Sequence, residues 1–253
     1  MKRTDIVIPY IIGPDNGLEL RYALRSIAKN FNHTNYRVIL VGDIPEWVTW
    51  VEKVPFKQVA PQKNRTFTDQ LLKLYTVLTS IKVSPDFIWT YDDIYFTRTV
   101  TLEDIALQKA VAGFDKYPTH LELSGAGPNW KSTMSVTMEK VKENGGTNYN
   151  YETHLPRMFN TKTVLKLYDR FNLLGQPVML SSLYFNTECK HIEPLCLFDH
   201  NPGIRFMVRS TFDVENMRKL MLKHQFTNNA PNTWSPVIQK VLGDLFEKCR
   251  FEK

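Results

Sequence analysis

The chain has few cysteines and no long apolar run, and both shortages limit what it can be. Its 253 residues include 3 cysteines, an odd and small number that argues against a disulfide framework and favours a reducing compartment. No run of about 18 apolar residues occurs, so we predict no transmembrane helix. The N-terminus leads from Met1-Lys2-Arg3 straight into a strand-like run, so we expect no signal peptide. Together these features predict a cytoplasmic protein.

A dense block of basic residues is also missing, although the net charge is +6 and the isoelectric point is about 9.1. A positive balance favours anionic partners, among them nucleotides, phosphates, an acidic glycan, DNA and a membrane surface. Many soluble proteins are mildly basic, so the charge alone does not choose among these partners. The 43% apolar and 23% charged residues are typical of a soluble globular protein.

Strand-like and helix-like patterns alternate over residues 1–105, as they do in α/β folds. The predicted strands are Thr4–Ile12, Tyr36–Val41, Lys53–Ala60 and Asp86–Thr90, and the predicted helices are Leu18–Phe31 and Thr66–Ile81. This order predicts a Rossmann-type, mostly parallel sheet flanked by helices, with a ligand crevice at the carboxyl edge of its strands.

The pattern weakens in residues 106–253, which we expect to form a less regular second half of the same compact domain. Helices are predicted at Leu102–Lys116, Thr161–Phe171 with Asn160 as its cap, Asp213–His224, and in an amphipathic tail within Thr233–Phe251. The segment Ser124–Asn150 is rich in Gly, Asn, Ser and Thr, a composition that predicts a long mobile loop or lid.

The most informative stretch is Asp86–Phe96, where an apolar run ends in the adjacent carboxylates Asp92 and Asp93. Unpaired buried carboxylates are costly, whereas the carboxyl end of a strand in an open α/β sheet is a place where ligands bind. Carboxylate oxygens suit Mg²⁺ or Mn²⁺, which in turn hold phosphates. We therefore predict a metal site at this pair and a transferase that acts on a nucleotide-activated substrate. The alternative is a pair that caps a turn or helix.

Two further positions are candidates for the same chemistry. His154 precedes Leu155-Pro156, and a histidine held by such a turn near a metal-bound phosphate could act as general base for an acceptor hydroxyl. Asn64 and Arg65 open the helix predicted from Thr66, and a helix N-terminus beside a guanidinium is a ready phosphate site. A structural histidine and an exposed arginine remain the alternatives.

Two motifs carry weaker signals. Cys189, His191, Cys196 and His200 could bind Zn²⁺, but their spacing matches no common zinc finger, and Cys196 lies between leucines as a core cysteine would. The stretch from Gly125 to Ser132 is not a Walker loop, because Trp130 stands where the glycine before the lysine is required. Lys131 remains a candidate lid contact.

The order of several blocks resembles that of Stealth-type proteins. These blocks are Leu18–Ile27, Val41–Trp47, Arg65–Phe67 and Tyr91–Phe96, followed by His154–Met158, which is similar to the third conserved region of that family. The resemblance covers residues 4–105 and 150–190. Stealth-type proteins are sugar-phosphate transferases, and they include capsular polysaccharide polymerases and the lysosomal-enzyme N-acetylglucosamine-1-phosphotransferase. The Asp-Asp pair is shared more widely, with GT-A glycosyltransferases.

The resemblance implies a GT-A-like fold, a nucleotide-sugar donor of UDP type, and transfer of a sugar or a sugar-1-phosphate to an acceptor hydroxyl. Residues 1–105 would be the nucleotide-sugar-binding half, and residues 106–253 the acceptor and catalytic half. The expected site residues are Pro9, Tyr10 and Asp43 around the nucleoside, Asn64 and Arg65 at the diphosphate, Asp92 and Asp93 at Mg²⁺ or Mn²⁺, and Asp93 and His154 in catalysis.

The acceptor is expected to be a hydroxylated or anionic molecule such as a glycan, with DNA as a further candidate. Two other functions stay open. One is a nucleotidyltransferase that makes a nucleotide sugar, which uses a similar sheet and metal carboxylates. The other is a non-catalytic binder of an anionic polymer, either a glycan or DNA.

Overall fold

The computed structural model describes residues 2–13, 15–58, 65–116, 128–198, 203–209, 212–230 and 233–253. The strands are β1 Thr4–Tyr10, β2 Tyr36–Gly42, β3 Glu52–Pro55, β4 Asp86–Trp89, β5 Ile94–Phe96, β6 Lys109–Ala110, β7 Arg157–Asn160, β8 Leu195–Cys196, β9 Arg205–Val208 and β10 Phe226–Asn229. The helices are α1 Leu18–Asn30, α2 Arg65–Ser80, α3 Leu102–Ala106, α4 Pro128–Glu143, α5 Thr161–Phe171, α6 Leu180–Glu188, α7 Val214–Leu222 and α8 Pro236–Leu245.

The central sheet has five strands in the order β3-β2-β1-β4-β7. The first four are parallel, and β7 is antiparallel to β4. All residues of β1 are buried, as expected of a parallel strand covered on both faces. Ile6 and Ile8 pack with the apolar stripe of α1, whereas Val7 packs with that of α2. The predicted mostly parallel sheet flanked by helices is confirmed.

A second, smaller sheet has the order β5-β10-β9. Strand β10 is antiparallel to β5 and parallel to β9. Helices α7 and α8 cover one face of this sheet through a cluster that contains Tyr95, Val208, Met217 and Ile238. Because residues 90–93 connect β4 to β5, the carboxylate pair lies where the two sheets meet.

The strongest helix predictions are confirmed. Helix α5 spans Thr161–Phe171 as predicted, and the Asn160 side chain caps it by accepting a hydrogen bond from the Thr163 amide. Helices α1, α2 and α7 start and end within two residues of their predicted limits. The tail is helical only over Pro236–Leu245. No helix in the described part of the chain is long and apolar enough to span a membrane.

The prediction of one helix over Leu102–Lys116 is wrong, because α3 ends at Ala106. Lys109 ends the helix: its buried ammonium donates hydrogen bonds to the carbonyls of Asp104 and Leu107, which a longer helix would have used internally. The chain then pairs as β6 with the strand β8.

The prediction of a mobile loop over Ser124–Asn150 is wrong for Pro128–Glu143, which forms helix α4. This helix buries Thr133, Met134, Thr137, Met138 and Val141 at helical spacing. Two of these residues are threonines, which made the stripe look polar in the sequence. Their hydroxyls are bonded internally, since Thr137 donates to the Thr133 carbonyl at 2.7 Å and accepts from the Met179 amide at 2.9 Å. Residues 124–127 lie outside the described residues.

Candidate active site at the carboxyl edge of the sheet

Asp93 and His154 are in direct contact at the end of β4. His154 Nε2 lies 2.9 Å from both carboxylate oxygens of Asp93, although 61 residues separate the two positions. The side chain of Asp93 is 21% exposed and that of His154 is 35% exposed, so both reach solvent. The structure thus brings together the two residues that the sequence predicts to be catalytic.

The pairing of β4 with β7 explains this contact. These strands are antiparallel, with Trp89 opposite Arg157. Residues that follow Trp89 therefore lie at the same edge as residues that precede Arg157, and this places the His154 turn beside Asp93.

His154 is held in an unusual backbone conformation. Its φ is +50°, in the left-handed region that residues other than glycine seldom adopt, although asparagine, aspartate and histidine enter it more often than the rest. Its ring is stacked on that of Tyr91, with 4.7 Å between ring centroids and an interplanar angle of 5°. A strained backbone together with a stacked ring indicates that the orientation of the imidazole is constrained by its surroundings.

Asp92 lies close to several other carboxylates. Burial, together with the nearby Asp93, Glu19 and Asp15, raises the pKa of Asp92 well above its ordinary value. Burial also raises the pKa of Glu19, and Asp93 and Asp15 add to that shift. A bound cation would relieve this repulsion directly.

A hydrogen-bonded chain links the second sheet to these carboxylates. Tyr95 donates its hydroxyl proton to Asn229 Oδ1 at 3.0 Å, and Asn229 Nδ2 donates to Glu19 Oε1 at 2.6 Å. Sequence reasoning missed Glu19, Tyr95 and Asn229. The signal in the sequence was the polar run Thr227-Asn228-Asn229. In the structure this run belongs to β10 and is almost fully buried, and buried polar residues in a strand need nearby hydrogen-bond partners.

Tyr10 and Asp43 follow the same edge at neighbouring strand ends, with Tyr10 opposite Gly42. The Ile12 amide donates to Asp43 Oδ2 at 2.8 Å, and the Asp43 amide donates to the Tyr10 carbonyl at 3.3 Å. Pro9 is buried inside β1, opposite Val41. Asn64 lies outside the described residues, and Arg65 is the first residue of α2.

The Tyr10 hydroxyl is buried and has no hydrogen-bond partner among the described residues. Burial raises the pKa of this phenol, and the charges of Asp15, Asp92 and Asp43 raise it further. A neutral hydroxyl without a partner among the described residues therefore lies close to the acidic group.

Two features that sequence reasoning missed shape the ends of β1 and β2. Lys73 is buried, pairs with Asp69 at 2.8 Å and donates to the Tyr10 carbonyl at 3.1 Å. Gly42 has a φ of +125°, and a Cβ at this position would lie 1.9 Å from the Tyr10 carbonyl oxygen. Only glycine permits this close approach of the two strand ends.

The carboxylates fit a hard divalent cation by their chemistry. Within the described ranges, no three His, Cys, Asp or Glu side chains form a ready-made metal cluster. Mg²⁺ is nevertheless often held by one or two protein carboxylates, with water and phosphate completing its shell. Asp92 and Asp93 supply that number, and the excess negative charge around them favours occupation by a cation.

The zinc candidates lie in a different setting. Cys189 and Cys196 are half-buried and pack against the larger hydrophobic cluster. Burial raises the pKa of the Cys189 thiol, which disfavours the thiolate that zinc requires. His191 is exposed, and His200 lies outside the described residues.

Comparison with known proteins shows the fold. No family model matches the sequence, and no curated protein matches it. A structure of the galactosyltransferase LgtC with donor and acceptor sugar analogs matches with a TM-score of 0.51 and 11% identity, over 98% of each chain. An active-site mutant of LgtC matches with a TM-score of 0.51 and 9% identity over 97% of each chain. Apo mouse xyloside xylosyltransferase 1 matches more weakly, with a TM-score of 0.45 and 9% identity over 93% of this chain.

These matches define a class of fold. The chain has the α/β architecture of GT-A glycosyltransferases, as the resemblance to Stealth-type proteins implied. At 9–11% identity, the likeness to LgtC concerns the fold alone.

Proposed function

We propose that the protein is a metal-dependent transferase that moves a sugar, or a sugar-1-phosphate, from a UDP-type nucleotide sugar to an acceptor hydroxyl. The observation that carries this proposal is the contact of His154 with Asp93 at the carboxyl end of β4. Ligands bind at this edge in open α/β sheets, and Asp93 lies in the segment that connects the central sheet to the second sheet.

The donor would lie along the edge formed by β1, β2 and β4. Pro9, Tyr10 and Asp43 would surround the nucleoside, since Tyr10 and Asp43 follow neighbouring strand ends at this edge. Arg65, the first residue of α2, and Asn64, which precedes it in the sequence, would approach the diphosphate, since amide groups at a helix N-terminus bind phosphate.

Asp92 and Asp93 would hold Mg²⁺ or Mn²⁺. When bound, such a cation supplies positive charge that offsets the charge developing on the leaving nucleotide. The raised pKa of Asp92 supports this role, because repulsion among the carboxylates disappears when a cation binds.

His154 would remove the proton of the acceptor hydroxyl. With the Asp93 carboxylate as the acceptor 2.9 Å away, Nε2 would carry the proton of the neutral ring and Nδ1 would be the nitrogen that accepts one. Asp93 would also stabilise the imidazolium that forms, as a carboxylate does beside a catalytic histidine. Tyr91 holds the ring plane by stacking.

The choice between a sugar and a sugar-1-phosphate depends on which bond of the donor breaks. Attack on the anomeric carbon releases UDP, whereas attack on the adjacent phosphorus releases UMP. The resemblance of His154–Met158 and the earlier blocks to Stealth-type proteins supports attack on phosphorus, and the fold supports either reaction.

The test is a screen of UDP-sugars with Mn²⁺ or Mg²⁺, first by thermal shift and then by nucleotide release. A donor that binds the folded state should raise the melting temperature, and its turnover, with an acceptor or with water, should release UDP or UMP. The proposal fails if no UDP-sugar binds or turns over. Formation of a nucleotide sugar from UTP and a sugar phosphate would instead indicate a nucleotidyltransferase.

A further inference from the structure

The side chain of Arg157 anchors the part of the chain that leads directly into His154. Its Nη2 donates a hydrogen bond to the Tyr151 carbonyl at 2.7 Å and a longer one to the Thr153 hydroxyl at 3.4 Å. Its Nη1 donates to the hydroxyl of Ser181, in α6, at 2.7 Å. One guanidinium therefore joins the residues before the histidine to a helix residue 24 positions away in the sequence.

The first turn of α6 holds the same part of the chain through Glu152. Glu152 Oε1 accepts hydrogen bonds from the amide and from the hydroxyl of Ser182, each at 3.0 Å. The Ser182 hydroxyl also accepts from the Tyr151 amide at 3.1 Å. Amides in the first turn of a helix have no partner within the helix, and a carboxylate is favoured there. Residues 151–153 are thus bound to α6 by two sets of hydrogen bonds.

Arg157 is a buried charge whose acceptors are neutral. Its residue surface is 5% exposed, and it donates to one carbonyl and two hydroxyls. Its Nε is buried and has no hydrogen-bond partner in the part of the chain that the structure describes. Burying a charge in this way is unfavourable, and apolar residues of similar volume often replace buried charges without loss of stability. The placement of the chain, more than net stability, is therefore what this guanidinium supplies.

The orientation of His154 depends on that placement. Its left-handed φ of +50° needs support from its surroundings, and its ring is stacked on Tyr91. Tyr91, Glu152 and Ser181 line one cavity of about 20 Å³, so the anchored residues and the stacked ring are neighbours. A shift of residues 151–153 would move the imidazole away from Tyr91 and from the carboxylate that it contacts.

We propose that Arg157 is a positioning residue, which holds the His154 ring at Asp93 by anchoring residues 151–153 to α6. The inference rests on the proposed function, because the orientation of the imidazole affects turnover only if His154 is the base. A misplacement of about 1 Å at a reacting group can lower a rate by about 100-fold. Arg157 is itself buried and acts only through the residues that it holds.

The test measures the proton NMR signals of the His154 ring in the full chain without substrate. Stacking on an aromatic ring shifts such signals upfield, so Tyr91→Ala should remove the shift and His154→Asn should remove the signals. Arg157→Met keeps the length of the side chain but removes every donor. We expect this variant to melt near the wild-type temperature, to lose most of the upfield shift, and to lower kcat by about tenfold or more with KM for the donor unchanged.

Two further variants separate hydrogen bonding from packing. Arg157→Lys keeps three N–H donors and should retain more of the upfield shift and of kcat than Arg157→Met. Arg170→Met is the matched control, because Arg170 donates to Glu188 and Asn144 and so joins other parts of the chain. That control should change neither the shift nor kcat.

If Arg157→Met does not fold, Ser182→Ala carries the test, since it removes the hydroxyl that bonds to both Glu152 and the Tyr151 amide. Ser26→Ala is its control: Ser26 is equally buried, and its hydroxyl bonds elsewhere. Ser182→Ala should reduce the upfield shift, and Ser26→Ala should not.

An upfield shift that survives in Arg157→Met or, where that variant does not fold, in Ser182→Ala would overturn the positioning role, as would equal losses in Arg157→Met and Arg157→Lys. A shift that depends on Arg157 in a protein that turns over no UDP-sugar would overturn the proposed function instead. The anchoring of His154 by Arg157 would then remain supported.

Discussion

The rings of Tyr91 and His154 are stacked almost parallel, at 5° and with 4.7 Å between centroids. Tyr91 belongs to the segment that carries Asp93, so the same short turn both orients the imidazole and supplies its carboxylate partner. This arrangement fixes the ring plane of His154 without a further hydrogen bond, and it makes Tyr91 a positioning residue.

Replacing Tyr91 should therefore affect turnover through the orientation of the ring. We expect Tyr91→Ala to lower kcat by about fivefold, which corresponds to the loss of one aromatic contact, with KM for the donor unchanged. Tyr91→Phe keeps the stack and should retain activity near that of the wild type. Steady-state kinetics with the donor found in the UDP-sugar screen would measure both, and equal losses in the two variants would contradict the positioning role.

His154→Asn should abolish most activity with little loss of stability. Asparagine tolerates a positive φ but cannot act as a general base, so we expect kcat to fall by roughly 10²–10⁴-fold. Nucleotide release gives the rate, and thermal melting checks the fold. His191→Asn is the control, because His191 is exposed and distant in sequence from the turn. Comparable activity of His154→Asn and the wild type would exclude His154 as the base.

Asp93→Asn removes the carboxylate that contacts His154 and would hold the cation. We expect activity to fall by roughly 10²–10³-fold, with the protein still folded. Asp86→Asn makes the same chemical change at the other end of β4, where Asp86 is exposed and accepts a hydrogen bond from Asn160. That control should keep full activity. Equal rates for Asp93→Asn and Asp86→Asn would show that the pair takes no part in the reaction.

Gly42→Ala and Gly145→Ala should differ sharply in stability. Both glycines have a positive φ, but a Cβ at Gly145 meets nothing within 4 Å, whereas a Cβ at Gly42 would lie 1.9 Å from the Tyr10 carbonyl oxygen. We expect Gly145→Ala to cost about 1 kcal/mol for its backbone conformation alone. Gly42→Ala should cost more than about 3 kcal/mol, because the ends of β1 and β2 must separate. Urea denaturation measures both, and similar costs would contradict the close approach.

Glu252 makes part of the stability depend on pH. Its buried carboxylate pairs with Arg21 and Arg25, each at 2.6 Å. Burial raises the pKa of Glu252, but the hydrogen bonds from both arginines outweigh burial and bring the pKa below its ordinary value of 4.5. The folded state therefore binds this proton less readily than the unfolded state. The resulting stabilisation is present above the unfolded pKa and is lost as the pH falls through the folded pKa.

We expect Glu252→Gln to lower the free energy of unfolding by about 3 kcal/mol at pH 7, since it leaves two partly buried guanidiniums without the buried carboxylate that pairs with both. The difference from the wild type should shrink below pH 4.5. Urea denaturation at several pH values measures this, with the exposed Glu247→Gln as the control. A difference that persists unchanged at low pH would assign the effect to packing instead of charge.

The sequence was sufficient for elements whose side chains follow one simple period. Helix α5 and its Asn160 cap follow from apolar spacing and a capping residue, and the strands β1 and β2 follow from short apolar runs between turns. The pattern was insufficient for α4, because two buried threonines interrupt its apolar stripe. It was also insufficient for the end of α3, which depends on hydrogen bonds from Lys109 to carbonyls that a sequence pattern does not reveal.

By itself, the sequence determined the parallel sheet, the position of Asp92 and Asp93 at its carboxyl edge, and His154 as a candidate partner, since each depends on local pattern and residue chemistry. Only the tertiary structure decided that His154 contacts Asp93 and that Asn229 reaches Glu19. Those contacts join residues far apart in the chain. They depend on the pairing of β4 with β7 and of β10 with β5 and β9. A local sequence pattern predicts a strand but does not reveal which other strand it pairs with.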